Sequence, residues 1–174
     1  MSLTSSLATF CAIGALYMPL IGLSPSATQA APLNPAQVSL KGPLKNYVIV
    51  SITYKQVEDV VDTLKKEFKA NNFIVKGVID HQDIARSQGL EVPPNTALLV
   101  GLPSFEALII KSNPAASLFV PLTLAIWRED SITYIAYWDP NSDFKANLGP
   151  LSKEAGEVVD TMTAMLKQIV QHAL

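Results

Sequence analysis

The chain contains few of the side chains from which catalytic and metal sites are usually built. Its 174 residues include one cysteine and two histidines, and 16% of them are charged. Because Cys11 lies in an apolar N-terminal stretch, the rest of the chain has no thiol to form a disulfide, bind a metal or act as a nucleophile. Gly-x-Ser-x-Gly, Gly-x-Gly-x-x-Gly and phosphate-loop motifs are also absent. We therefore expect no cofactor, and an enzyme is the less favoured class.

The balance of charge argues against one class of partner. The net charge is −2, and the only adjacent basic residues are Lys65 and Lys66. A nucleic-acid partner requires a basic face to hold its phosphates, so we expect no nucleic acid. With 49% hydrophobic residues, the composition is that of a folded domain and not of a disordered chain.

The N-terminal segment indicates export. The first 31 residues carry no Lys, Arg, Asp or Glu, and residues 7–23 are almost entirely apolar. Thr28 and Ala30 suit positions −3 and −1 of a signal-peptidase site. The sequence thus predicts a signal peptide over 1–30, a linker over 31–44, one domain over 45–174, and a periplasmic or secreted protein.

An uncleaved N-terminal anchor is the alternative, since the basic region that usually begins a signal peptide is missing. In that case membrane contact is expected only through residues 1–30. The apolar stretch is interrupted by Pro19, and it is short for the roughly 30 Å of hydrocarbon that a membrane span must cross.

Hydrophobic periodicity predicts an α+β domain. Residues 47–53 are rich in β-branched and aromatic side chains and predict a strand. The next apolar residues have the spacing of one helix face: Val57, Val60, Val61, Leu64 and Phe68. Further strands are predicted over 73–79, 96–102, 119–128 and 131–138, short helices over 82–87 and 105–112, a loop over 144–149, and a long helix over 155–170. The natural arrangement is an antiparallel five-stranded sheet with helices on one face, in β-α-β(4)-α order.

Three short segments carry a resemblance to a known family. They are Asp80–Leu90, which opens with Asp-His and closes with Gly-Leu, then Gly101-Leu102-Pro103, and finally Tyr137-Trp138-Asp139-Pro140. From about Tyr47 to the C-terminus the chain resembles the domain of unknown function 302 family, small α+β domains of bacteria and archaea. The resemblance implies a curved sheet similar to the TATA-binding-protein-like fold. It implies no activity, because the family has no agreed biochemical role.

Asp80 and His81 are the first candidate for a ligand-binding site. They match the Asp-His pair that recurs in the family, and they end a predicted strand, where side chains reach the edge of a sheet. Histidine can act as a base, an acid or a metal ligand near neutral pH. The plainer alternative is that Asp80 caps the following helix while His81 packs locally.

Tyr137, Trp138 and Asp139 are the second candidate group. Relatives typically have Asn where Trp138 stands, and with Trp127 these rings could line a pocket for an apolar or aromatic ligand. Ordinary cross-strand packing of the rings is the alternative. Other departures from the family pattern also replace polar residues by apolar ones, which predicts a more apolar site or an interface.

The histidines offer little for a metal site, which needs three or four ligands. Only His81 and His172 are available, and a further histidine that many relatives carry is missing from residues 144–149. We assign no metal ligand, although two copies of His81 could meet in a dimer.

Three hypotheses about function follow. The first is an exported, non-enzymatic domain, expected to be a homodimer, that binds a small ligand or a protein. The second is a metal- or haem-handling protein that uses His81. The third is a hydrolase-like enzyme that uses Asp80 and His81 as a carboxylate–imidazole pair.

Overall fold

The computed structural model describes residues 47–174, which form one antiparallel sheet with helices packed against it. The strands are β1 (Val48–Thr53), β2 (Ile74–Asp80), β3 (Asn95–Gly101), β4 (Leu122–Glu129) and β5 (Ile132–Trp138). The helices are α1 (Val57–Ala70), α2 (His81–Ser87), α3 (Pro103–Ser112), α4 (Pro140–Leu148) and α5 (Lys153–Ala173), and a short 3₁₀ helix covers Pro114–Leu118. The α+β fold class predicted from the sequence is confirmed.

The order and direction of the strands place the end of β2 far from the end of β5. The sheet runs β1-β5-β4-β3-β2, and each neighbouring pair is antiparallel. β4 and β5 form the predicted hairpin, with Asp130 at a φ of 52° in its turn. Because strand direction alternates across the sheet, the last residues of β2 and of β5 lie at opposite ends of it.

One face of the sheet forms the core together with the helices. Alternate strand residues point to this face, and Leu98, Leu124, Ile126 and Ile135 are fully buried there. The helices supply the opposite wall through residues at helical spacing: Val60, Leu64 and Phe68 in α1, and Met162, Leu166 and Ile169 in α5. Burying each of these side chains contributes roughly 1.5–3 kcal/mol, so this contact determines which way each strand faces.

The C-terminus is fixed to the corner between β1 and α1. The hydroxyl of Thr53 donates to the carbonyl of Leu174 at 2.9 Å, and the ammonium of Lys55 donates to the carbonyl of Ala173 at 3.2 Å. The last carbonyls of a helix have no partner within it, so these two bonds satisfy groups that would otherwise need water.

One predicted strand start and one predicted loop are wrong. β4 begins at Leu122 and not at residue 119, because a 3₁₀ helix extends to Leu118 and Pro121 has no N–H to donate to a strand. Residues 144–149 were expected as a loop, but most of them belong to α4, which ends at Gly149 with a φ of 71°. α4 buries only Pro140 and Phe144, so it lacks the hydrophobic stripe from which a helix is predicted.

The predicted signal peptide, its anchor alternative and the linker over 31–44 lie outside the described residues. Of the helices in residues 47–174, none has the length and apolar character needed to cross a membrane. Location in the periplasm or outside the cell stays a prediction.

Candidate functional site

Asp80 acts as the N-cap of α2. Its Oδ1 accepts a hydrogen bond from the backbone N–H of Asp83 at 3.0 Å, and Asp83 in turn pairs with Arg86 one turn later. This cap satisfies one of the N–H groups that the start of a helix leaves free. The plainer alternative for Asp80 is therefore what the structure shows, and the carboxylate has a structural role.

The side chain of His81 lies exposed at the first position of α2. Within residues 47–174 it makes no hydrogen bond or ion pair to another side chain. The second histidine, His172, has its Nδ1 3.0 Å from Oε2 of Glu67. No group of three or more His, Cys, Asp or Glu side chains in this part of the chain is arranged to hold a metal ion.

The two predicted groups of site residues lie at opposite ends of the sheet. Asp80 ends β2 and Trp138 ends β5, with β3 and β4 between them. Neighbouring strands lie about 4.8 Å apart, so this amounts to about 14 Å across the sheet, and the opposed strand directions add distance along it. The structure does not bring His81 and Asp139 together, and the five predicted residues do not form one site.

The aromatic residues of the hairpin also divide between its two ends. Trp127 and Tyr134 stand opposite each other on β4 and β5, with ring centroids 5.1 Å apart and planes inclined by 10°. The indole N–H of Trp127 donates to Oε1 of Glu129 at 3.0 Å. Trp127 is thus engaged in cross-strand packing at one end of the hairpin, while Trp138 lies at the other.

Tyr137 and Trp138 face opposite sides of the sheet, as neighbours on a strand must. Tyr137 belongs to the core, and burial, with the nearby charge of Asp139, raises its pKa to about 12. Trp138 is 38% exposed and lines a cleft at the end of the sheet where β5 ends. Only Trp138 of the predicted site residues reaches this cleft.

The cleft has a volume of about 530 Å³ and mostly apolar walls. It lies where the end of the 3₁₀ helix, the start of β4, the end of β5 and α4 meet. Phe119 and Phe144 pack edge to face in it with ring centroids 5.7 Å apart. The lining residues are Leu118, Phe119, Pro121, Leu122, Thr123, Trp138, Pro140, Asp143, Phe144 and Asn147.

Asp143 and Asn147 are the polar residues that α4 presents to the cleft. They are four positions apart, so they share one face of the helix. The amide of Asn147 donates to Oδ1 of Asp143 at 2.7 Å and to the Asp143 carbonyl at 2.9 Å. Burial raises the pKa of the Asp143 carboxyl, and the bond from Asn147 partly lowers it. Asp143 is therefore the one carboxyl group among the residues that line the cleft.

Asp139 lies at the junction between β5 and α4. Its Oδ2 accepts a hydrogen bond from the hydroxyl of Ser142 at 2.8 Å, and its backbone N–H donates to the carbonyl of Tyr47. Its Oδ1 is buried without a hydrogen-bond donor among the described residues, and so is Oδ1 of Asn141. Asp139 thus shapes the junction between β5 and α4 behind the cleft.

Sequence reasoning missed Asp143, Asn147 and Phe144 because it took this segment for a loop. A usable signal was present: Asp139 followed by Pro140 is a helix start, with proline at the first helical position. A helix that starts there places Asp143 and Asn147 on one face. Phe119 and Leu118 come to the cleft only through the tertiary fold, and no local pattern marks them.

Comparisons with known proteins agree on the architecture. The sequence model described as "Domain of unknown function DUF302" matches residues 48–169. A solved structure of an uncharacterized conserved DUF302 protein from Bacillus stearothermophilus is similar, with a TM-score of 0.66 and 17% sequence identity over 74% of this chain and 98% of that chain. At this identity the likeness shows the fold alone. No curated protein matches the chain.

Proposed function

Since the chain belongs to the domain of unknown function 302 family, whose name carries no activity, we propose from its cleft that it is a non-enzymatic domain that binds a small ligand. The observation that carries the proposal is the aromatic cleft with a single carboxyl group, Asp143. A volume of about 530 Å³ falls within the roughly 300–1,000 Å³ typical of small-molecule sites.

The chemistry of the walls defines the class of ligand. Phe119, Trp138 and Phe144 offer aromatic surface against which a flat apolar group can pack. Asp143 offers an acceptor in partly buried surroundings, where a hydrogen bond to a donor or cation is stronger than in water. We infer an aromatic or apolar ligand that carries a hydrogen-bond donor or a positive charge at one end.

The cleft supports binding better than it supports catalysis. General acid–base catalysis needs an acid and a base within reach of the same bond. Asp143 is the only ionisable side chain among the residues that line the cleft, and its nearest polar neighbour is the amide of Asn147. Catalysis by Asp80 and His81, and metal or haem binding through His81, stay alternative hypotheses located at the other end of the sheet.

Export is the second part of the proposal. Its support is the charge-free, apolar N-terminal sequence with small residues at the expected cleavage positions. Cell fractionation followed by the intact mass of the protein tests it. A periplasmic or secreted protein that begins at Ala31 is the expected result; a membrane-bound protein of full mass would mean the anchor alternative.

The ligand proposal is tested with two probes of matched shape, naphthylmethylammonium and the neutral naphthylmethanol. Calorimetry should show both binding to the wild type. Asp143→Asn should weaken the ammonium probe about tenfold and leave the neutral one unchanged. Trp138→Ala should weaken both, because it removes a wall of the cleft.

Two further variants locate the binding. Trp127→Phe leaves Trp138 as the only tryptophan, so quenching of its fluorescence reports the cleft alone. His81→Ala is the matched control, since His81 lies at the far end of the sheet. If neither probe binds, and native mass spectrometry of the purified protein shows no bound molecule, the proposal is overturned. Loss of binding in His81→Ala would place the binding site near His81 and favour the alternative hypotheses.

A further inference from the structure

Two buried polar atoms near the turn of the β4–β5 hairpin have no hydrogen-bond partner among the described residues. They are the hydroxyl of Tyr134 and Oε2 of Glu129. Tyr134 is only 5% exposed, so its hydroxyl is shielded from water. Buried polar groups in folded proteins are nearly always hydrogen-bonded, and an exception points to a ligand, an ion or another functional role.

The pairing of the strands places these two side chains next to each other. Trp127 of β4 stands opposite Tyr134 of β5. Glu129 stands two residues further along β4, so it lies on the same face and is the diagonal neighbour of Tyr134. Diagonal neighbours lie about 7–8 Å apart, which long side chains can span. Burial raises the pKa of Tyr134, and the charges of Glu129 and Asp130 raise it further, as expected for carboxylates close to the phenol.

The carboxylate of Glu129 has a neutral partner and no cationic one. Its Oε1 accepts the indole N–H of Trp127 at 3.0 Å, and no ion pair within residues 47–174 includes Glu129 or Asp130. Arg128 lies between the two on the strand, so its side chain points to the other face, where its guanidinium donates to the carbonyl of Lys55 at 3.0 Å. The charge of these two carboxylates is therefore not neutralised by any basic side chain of the described part of the chain.

The stacked rings of Trp127 and Tyr134 add a flat aromatic surface beside the carboxylate. A guanidinium group stacks on such rings and bonds carboxylates through parallel N–H groups. It carries only donors, and the two unpartnered atoms, Oε2 of Glu129 and the phenol oxygen, are both acceptors. Glu129 and Trp127 are partly exposed, so a ligand can reach this corner from the surface.

We propose that Trp127, Glu129 and Tyr134, which we call the hairpin-end site, bind a guanidinium group between Oε2 of Glu129 and the hydroxyl oxygen of Tyr134. The indole N–H of Trp127 holds Oε1 and leaves Oε2 for the ligand. A water molecule would satisfy the same two atoms but would leave the carboxylate charges without a counter-charge. The site lies at the end of β4, whereas the cleft is lined by the start of that strand, so the two are separate.

The binding test uses methylguanidinium and methylurea, a neutral molecule of the same shape. The full chain carries Trp138→Phe, so that Trp127 is the only tryptophan and its fluorescence reports the hairpin-end site. Methylguanidinium should bind and change the emission, whereas methylurea should not. Glu129→Gln keeps an acceptor for the indole but loses the charge, and should weaken binding about tenfold. Tyr134→Phe keeps the stacked ring but loses the acceptor, and should weaken it about fivefold.

Asp143→Asn is the matched control, because it removes the carboxyl group of the cleft. It should leave the binding of methylguanidinium unchanged. The N-acetyl methylamide of arginine then distinguishes the two sources of the group. Binding at least as tight as that of methylguanidinium assigns the site to an arginine side chain of a partner protein, and exclusion of the larger probe assigns it to a small free guanidine. Either result supports the guanidinium site.

Tyr134→Phe also tests the premise without any ligand. A hydroxyl buried without a partner destabilises the folded state, so its removal should raise the urea midpoint of the free protein. A lower midpoint would mean that the hydroxyl is already hydrogen-bonded, for instance to a buried water, and would overturn the proposal. So would a parent protein that does not bind methylguanidinium, equal binding of methylurea, or loss of binding in Asp143→Asn, which would place the probe in the cleft.

Discussion

The carboxylate of Glu106 lies against the Cα of Gly101, in space that any larger residue would need. A Cβ built on Gly101 would stand 1.8 Å from Oε1 of Glu106 and 2.9 Å from Cε of Lys76. Oε2 of Glu106 pairs with the ammonium of Lys76, while Oε1 is buried without a partner among the described residues. This pair joins α3 to the edge strand β2 beside its bulge.

We expect Gly101→Ala to destabilise the domain by about 1–3 kcal/mol, because it displaces a buried carboxylate from its ion pair. Urea unfolding measures the loss. Gly156→Ala is the control: a Cβ there meets nothing within 4 Å, so this variant should gain up to about 1 kcal/mol.

A double-mutant cycle shows whether Glu106 is the cause. In the Glu106→Ala background the methyl group of Ala at position 101 has room, so its cost should nearly vanish. An unchanged cost in that background would mean that the backbone, and not the carboxylate, requires glycine.

Asp80→Ala should cost about 0.5–2 kcal/mol, since it leaves the N–H of Asp83 without its acceptor at the start of α2. Asp80→Asn, whose amide oxygen can accept the same bond, should stay close to the wild type. His81→Ala should lie within about 0.5 kcal/mol, as expected for an exposed side chain. Thermal unfolding of the three variants side by side checks the ranking, and equal losses from Asp80→Asn and Asp80→Ala would contradict the cap.

Tyr137 makes the domain sensitive to alkali. Its pKa is raised to about 12 by burial and by Asp139, while tyrosine in an unfolded chain ionises near pH 10. Between these values the folded state keeps a proton that the unfolded state releases, so stability falls as the pH rises, by up to about 2–3 kcal/mol. Tyr137→Phe should remove this part of the loss, as measured by urea unfolding across the window. The ultraviolet absorbance of tyrosinate should show a group in the folded wild type that titrates near pH 12 and is missing from Tyr137→Phe.

Asp143 gives a second dependence on pH, at the acid end. Because burial raises its pKa, the folded state binds the proton more tightly than the unfolded state does. Its contribution to stability is then greatest at low pH and falls as the pH rises past the ordinary aspartate value of about 4. Asp143→Asn cannot ionise, so its stability relative to the wild type should be higher near neutral pH than in acid. Urea unfolding at the two pH values measures this; a difference of the opposite sign would mean that the folded protein stabilises the charged carboxylate.

The sequence predicts the fold wherever the hydrophobic residues of a segment recur at the spacing of a helix or of a strand. The helical spacing of Val57, Val60 and Leu64 predicts α1, and the alternation of hydrophobic and polar residues predicts β4 and β5. A segment that buries one face must place its hydrophobic residues at the repeat of its backbone. α4 could not be found this way, since its buried residues are only Pro140 and Phe144, which do not form a hydrophobic stripe.

The candidate site was harder to predict for a topological reason. His81 and Trp138 were both plausible from their neighbours in sequence, but strand order, which no local pattern specifies, puts them at opposite ends of the sheet. The cleft needs Phe119 from before β4 and Asp143 from after β5. Only the assembled sheet brings these segments together.

The attachment of α5 has a consequence for the way the protein is made. This helix supplies one wall of the core, and its last carbonyls are bound by Thr53 and Lys55, which follow the first strand of the domain. A nascent chain that lacks α5 leaves the inner face of the sheet uncovered and cannot fold as a unit. Folding of the domain must therefore wait until α5 has been synthesised.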